Sequence, residues 1–171
     1  MNEVIKNILT RTSVRKFTDQ KIEEEKLKIL VDCAKAAPTA RNRQARKFTI
    51  IQNREKIQEL AKAIAKVLNL ENYRIYDCDA IILISFAEDD GFGRCDSACA
   101  IENIYLAAHS MGLGSVWINQ LRNKCNESEI RKVLDSFNIP KNHIVCGFSA
   151  LGYPAEKPAV KERTETVEFI K

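Results

Sequence analysis

Apolar residues recur along this chain with two periods, and the switches between them mark out its elements. Val4, Ile5, Ile8 and Leu9 share one stripe of a short helix. Leu27, Leu30, Val31 and Ala34 fall at i, i+3, i+4 and i+7 and predict a helix over about 23–36, which Pro38 stops. Phe48 to Ile51 reads as a strand, and Ile57, Leu60, Ala61, Ile64 and Leu68 form the stripe of a helix from about 54 to 68. A polar connection over 69–79 leads to the unbroken apolar run Ala80 to Phe86, short and rich in isoleucine, as in a central strand buried on both faces. Residues 97–111 are apolar nearly all round, which predicts a helix buried in a core or an interface, with Asp96 as its N-cap and Gly112 as a left-handed C-cap. Gly114 to Ile118 reads as a strand. Asn126 and Glu129 form a capping-box pattern ahead of a helix carrying Ile130, Val133, Leu134 and Phe137. Ile144 to Phe148 is another strand, and from Gly152 the chain becomes an extended arm with Pro154 and Pro158, ending in the strand candidate Thr166 to Ile170.

About four core strands alternate with about five helices, the pattern of an α+β or α/β sandwich. The length of 171 residues suits a single domain, 1–171, in which 152–171 form the arm. A proline-bearing arm that ends in a strand is a device by which a small domain reaches a neighbouring subunit.

Composition removes several function classes. The net charge of +4 is too mild for a nucleic-acid binder, and aromatic residues are only 7%. No apolar run reaches the length of a membrane span, and Met1 to Leu9 mix charged with apolar residues, so a cytoplasmic protein is expected. Six scattered cysteines without CxxC spacing are then expected to be reduced thiols, and Cys95 with Cys99 supply too few ligands for a metal. His109, on an apolar helix, reads as a packed or interface residue, and His143 as structural or solvated.

The chemistry concentrates in Arg11-Thr12-Ser13-Val14-Arg15. In an extended segment Arg11, Ser13 and Arg15 point the same way, two guanidinium forks with a hydroxyl between them. Such a face receives a dianionic phosphate by charge-assisted, bidentate bonds. The same residues would also suit a solvated basic turn after the first helix. A second basic group, Arg41, Arg43, Arg46 and Lys47, is either an exposed face or a lure for anionic ligands such as the phosphates of NADPH.

Four segments in order resemble the FMN-dependent nitroreductase family: Arg11 to Phe17, similar to its opening phosphate signature; Ala36-Ala37-Pro38-Thr39-Ala40-Arg41-Asn42-Arg43-Gln44, similar to its Ala-Pro-Ser-x-x-Asn-x-Gln loop; Asp96 to Asn103 running into Gly112 to Trp117; and Leu151-Gly152-Tyr153-Pro154 followed by Lys161 and Arg163. The resemblance implies a three-layer α+β sandwich with a mostly antiparallel sheet, and an arm that adds a strand to the partner subunit. It implies a homodimer with FMN at the subunit interface and NADH or NADPH as co-substrate. Arg11, Arg15, Lys161 and Arg163 would hold the phosphate, with Thr12 and Ser13 beside it. Pro38, Thr39, Ala40 and Asn42 would reach the flavin from the partner, and Trp117 and Ile118 would line the ring. The implied activity is ping-pong hydride transfer to nitroaromatics, quinones or related acceptors, with no catalytic side chain. Reductive dehalogenation, flavin destruction and non-enzymatic flavin binding are the alternatives within the resemblance. Ala45 and Arg46 stand where the family commonly has proline and tryptophan, and the mid-chain region that elsewhere covers the flavin is short.

Overall fold

A computed structural model describes all residues 1–171. Four strands, β1 (Lys47–Ile51), β2 (Ala80–Ala87), β3 (Gly114–Ile118) and β4 (His143–Gly152), form one sheet in the order β1-β2-β4-β3, antiparallel throughout. Five helices flank it: α1 (Glu3–Thr10), α2 (Glu24–Lys35), α3 (Arg54–Leu68), α4 (Gly93–Ser110) and α5 (Ser128–Ser136). The fold is α+β, a central antiparallel sheet between helical layers.

The two faces of β2 explain its unbroken apolar run. Ile81 and Leu83 enter the core beneath α3 and α5, whereas Ala80, Ile82 and Ile84 enter the core beneath α2 and α4. Each fully buried isoleucine contributes on the order of 2 kcal/mol, which makes this strand the anchor of the sandwich. β4 runs five residues longer than its apolar signal, because Ser149, Ala150, Leu151 and Gly152 continue the ladders to β2 and β3.

Two local expectations are corrected. Asp96 does not cap α4, which begins at Gly93; its carboxylate accepts the Ala40 N–H instead, at 3.1 and 3.3 Å. The capping box before α5 is not made, since Asn126 donates to the Glu88 carboxylate at 3.2 Å and Glu129 pairs with Lys66 at 2.6 Å. Both residues have found more distant partners that no local pattern reveals. Residues 166–170 form no strand within the single chain; Phe169 and Ile170 are 85% and 93% exposed. Gly112 does take the left-handed conformation expected after α4, with φ 75°.

α1 is the anomaly of the fold. Its apolar stripe is amphipathic, yet none of its residues is buried. It is held by the Asn2 cap, by Asn7 donating to the Leu106 carbonyl at 2.9 Å, and by a Thr10–His109 hydrogen bond of 2.9 Å. An eight-residue helix is marginal in water without apolar packing. Val4, Ile5, Ile8 and Leu9 are exposed, and Val4 and Ile8 line an apolar groove of about 470 Å³ between α1, α2 and α4.

Candidate functional site

After α1 the backbone becomes extended at Arg11 and runs alongside β3. The Val14 N–H donates to the Ser115 carbonyl at 3.0 Å, and Ser13 pairs with Ser115 in parallel. Val14 points inward, buried against Gly114. A Cβ on that glycine would lie 2.8 Å from the Val14 Cβ, so only glycine permits this approach. With Val14 fixed inward, its neighbours on either side turn outward, as the alternation of a strand requires.

Arg11, Thr12, Ser13 and Arg15 line a cavity of about 280 Å³ together with Pro158, Ala159, Lys161 and Arg163. The two ends of the chain meet here because the arm is sewn to the N-terminal segment. Thr18 N–H donates to the Tyr153 carbonyl at 2.8 Å and Ala155 N–H to the Lys16 carbonyl at 2.9 Å. Glu156 accepts the Arg15 N–H at 3.2 Å and lies 3.7 Å from the Lys16 ammonium. Further back, the Tyr153 hydroxyl accepts from Lys26 at 2.6 Å and donates to Glu23 at 2.7 Å. These bonds hold the Glu23 carboxyl below its ordinary value and the Lys26 ammonium above its own.

The cavity has four cations, two hydroxyls and no carboxylate in its wall. The Glu102 carboxylate reaches Arg11 only at 3.9 Å, and Arg11 also lies over the Tyr105 ring, 5.8 Å from its centre. Such a set fits a phosphate dianion, which would accept from guanidinium forks and hydroxyls at once. A second hollow of about 500 Å³ shares Arg11, Thr12 and Pro158 with the first and runs on to His109 and Ser115. Burial and then Arg11 push the His109 imidazolium toward deprotonation, in keeping with a packed residue.

Trp117 and Ile118 part company. Ile118 is buried in the core under α3 and α5, and neither residue lines the cation cavity. Trp117 faces the other way and is partly exposed. Its indole packs over Gly147 of β4, where a Cβ would come within 2.4 Å of the ring.

Pro38, Thr39, Ala40 and Asn42 stand apart from the cation cavity in the single chain. Their loop is strained: Arg41, Asn42 and Gln44 have φ of 54°, 52° and 50°. A left-handed residue other than glycine costs on the order of 1 kcal/mol or more. Against this stand charge-assisted bonds of about 2 kcal/mol each. Asp96 accepts the Ala40 N–H, and the Arg46 guanidinium donates to the Asp96 carbonyl at 2.7 Å and to the Ala37 carbonyl at 3.1 Å. Arg43 adds an ion pair to Asp90 and lies over the Phe92 ring at 5.5 Å. The two sets of terms are of similar size, and the loop adds bonds of its own: the Gln44 N–H donates to the Thr39 hydroxyl at 3.2 Å and the Gln44 amide to the Asn42 side-chain oxygen at 3.0 Å.

Sequence reasoning missed Glu156, Asp96 and Arg46 as anchors. Their acceptors and donors are backbone groups of distant elements, and a sequence carries no local signal for those.

Comparison with known proteins agrees with this geometry. The Nitroreductase family model matches residues 8–75 and 66–153. A crystal structure of a nitroreductase with bound FMN from Bacteroides fragilis superposes with a TM-score of 0.89 at 35% identity, covering 100% of this chain and 98% of that one. An FMN reductase (NADPH) of Bacillus subtilis is 30% identical over 95% of this chain and 70% of its own length. The NADPH:FMN oxidoreductase of Vibrio harveyi, complexed with NAD+, superposes with a TM-score of 0.77 at 25% identity, covering 99% of this chain and 79% of that one. This chain belongs to the nitroreductase family.

Proposed function

We propose that the protein is an FMN-dependent NAD(P)H oxidoreductase that works as a homodimer. The observation that carries this reading is the cation cavity. Arg11, Arg15, Lys161 and Arg163, drawn from opposite ends of the chain, converge with Thr12 and Ser13 on a volume suited to a phosphate and free of carboxylates. The names of the relatives, an FMN reductase and an NADPH:FMN oxidoreductase, supply the cofactor and the electron donor that suit it.

When bound, FMN supplies a two-electron carrier between a nicotinamide and an acceptor such as a nitroaromatic or quinone, in alternating half-reactions. The chain's own tasks are binding and positioning. The four cations neutralise the phosphate and fix its place. Trp117, packed over Gly147, offers an aromatic surface on the outward face of β3 to one side of the ring. Pro38, Thr39, Ala40 and Asn42 reach the flavin of the partner subunit, which accounts for their distance from the cavity of their own chain. No side chain is asked to donate or accept a proton.

Two features support the dimer. α1 and its neighbouring groove leave an apolar surface that a second copy would cover. β1 is the free edge of the sheet, with Ile50 exposed, and unpaired edges invite a further strand. The arm ends in Thr166 to Ile170, about the length of β1 and exposed throughout, and adds that strand to the partner. Residues 1–171 then make one domain whose arm belongs functionally to its neighbour.

The visible spectrum of the purified protein tests the reading. Flavin bands that bleach on anaerobic addition of NADH or NADPH are expected. A colourless protein that also fails to take up added FMN would sink it.

A further inference from the structure

The Pro38–Gln44 loop is tied to the body of the protein at two kinds of anchor. The Arg43–Asp90 pair is partly exposed and so is screened by salt. The other anchor is more buried, with Arg46 itself half-buried. Asp96 is 7% exposed, and its carboxylate takes the Ala40 N–H immediately before the left-handed residues Arg41 and Asn42. The Arg46 guanidinium bridges the two helices that bracket the loop. One arm of the fork reaches the Ala37 carbonyl beyond the end of α2, and the other the Asp96 carbonyl in the first turn of α4. A planar fork can span two carbonyls in this way, whereas an ammonium would serve one of them well.

We propose that Arg46 and Asp96 act together as a positioning clamp, presetting the strained loop in the shape that meets the flavin ring of the partner subunit. This rests on the FMN reading above. The clamp touches neither phosphate nor ring. Without it, Arg41, Asn42 and Gln44 relax toward right-handed or extended backbone, which is favoured for them. The binding-competent loop then becomes a minor population, and the apparent dissociation constant rises by the inverse of that fraction. The phosphate cavity, built on other elements, is unaffected. The clamp therefore governs the part of flavin affinity that comes from the ring.

Arg46→Met in the full-length protein separates these parts. FMN and riboflavin are titrated, and the visible circular dichroism is recorded at saturation. A loop populated in its competent shape about a tenth of the time weakens both ligands about tenfold and by the same factor, since riboflavin lacks only the phosphate. The dichroism of the bound ring changes as well, and Arg46→Lys recovers part of the loss. Wild-type affinities and dichroism in Arg46→Met would overturn the clamp, even with a lowered melting temperature, because that is the signature of a purely structural arginine. Weakened FMN with unchanged riboflavin would also overturn it. Should Arg46→Met not fold, Asp96→Asn carries the same expectation at a smaller size, since it keeps an oxygen for the Ala40 N–H but loses the charge. A wild-type protein that takes up neither flavin would defeat the FMN reading and the clamp with it, so the two failures are told apart by the wild type alone.

Discussion

The two halves of the site are built on opposite principles. The cation cavity is laid on regular backbone: an extended segment is paired to β3, its alternation enforced by one buried valine against one glycine, and the arm is sewn to it by backbone hydrogen bonds. The loop of residues 38–44 is irregular, holds three left-handed residues, and keeps its shape through side chains from elsewhere. The first half is complete in one chain and suits a charged group. The second, on the function proposed above, is held ready for the shape of a flavin ring in the partner subunit. Long-range charge needs cations in the neighbourhood, whereas contact with a flat ring needs atoms placed to within a fraction of an ångström.

The harshest way to break the comparison is to remove the arm. A chain ending at Tyr153 loses Lys161 and Arg163 from the cavity and the strand proposed for the partner. Loss of the dimer and of FMN together is expected, read by light scattering and by flavin content after gel filtration. A truncated protein that stays dimeric and yellow would place both the phosphate and the interface elsewhere.

Arg15→Ala cuts more finely. Removing one charge-assisted, bidentate donor should cost FMN about 2–3 kcal/mol, or roughly 30- to 150-fold in affinity, while riboflavin is held as before. This differs from the pattern expected for Arg46→Met, which weakens both flavins alike. If both variants weakened both flavins alike, the division into a charge half and a shape half would fail.

That division also governs what was legible in the sequence. Arg11, Ser13 and Arg15 could be placed on one face because a strand's period of two is local, and their neighbour Val14 alone decides which way they point. The helices from 54 to 68 and near 23–36 were legible for the same reason, their stripes being written in consecutive turns. Convergence of Lys161 and Arg163 on that face came from family resemblance, since nothing in the arm itself says where it folds back. Asp96 looked like an N-cap, which is what an aspartate before an apolar run ordinarily is, and its real partner lies 56 residues away. Ile118 and Trp117 looked alike as strand residues. Only the packing of α3 and α5 on one face of β3 separates the buried one from the one left partly exposed.

A smaller effect tests how the charge half is aimed. Gly114→Ala puts a methyl group 2.8 Å from the Val14 Cβ, too close for any contact between carbons, so the segment must move off β3. Overpacking of this kind costs about 1–3 kcal/mol, which lowers the melting temperature of a chain this size by roughly 2–12 °C. FMN should weaken more than riboflavin, because the shift carries Arg11, Ser13 and Arg15 with it. A melting temperature and an FMN affinity both equal to wild type would show that Val14 does not set the direction of the arginines.

The smallest effect concerns pH. His109 lies beneath the charge half, bonded to Thr10, and burial followed by repulsion from Arg11 lowers its affinity for a proton in the folded state. The unfolded chain therefore binds this proton more readily, and stability rises with pH wherever the unfolded state holds more protons. Its contribution is present above the ordinary histidine value of 6.5 and is lost as pH falls from there through the lower folded value. His143, lowered by burial and by Lys47 and Arg131, acts in the same direction from the far end of the sheet. His109→Gln keeps a side chain able to bond Thr10 and removes one of the two titrations. Its melting temperature should fall less steeply than that of the wild type between pH 7 and pH 5. A slope equal to that of the wild type would show that the burial of His109 beside Arg11 contributes nothing to the pH dependence of stability.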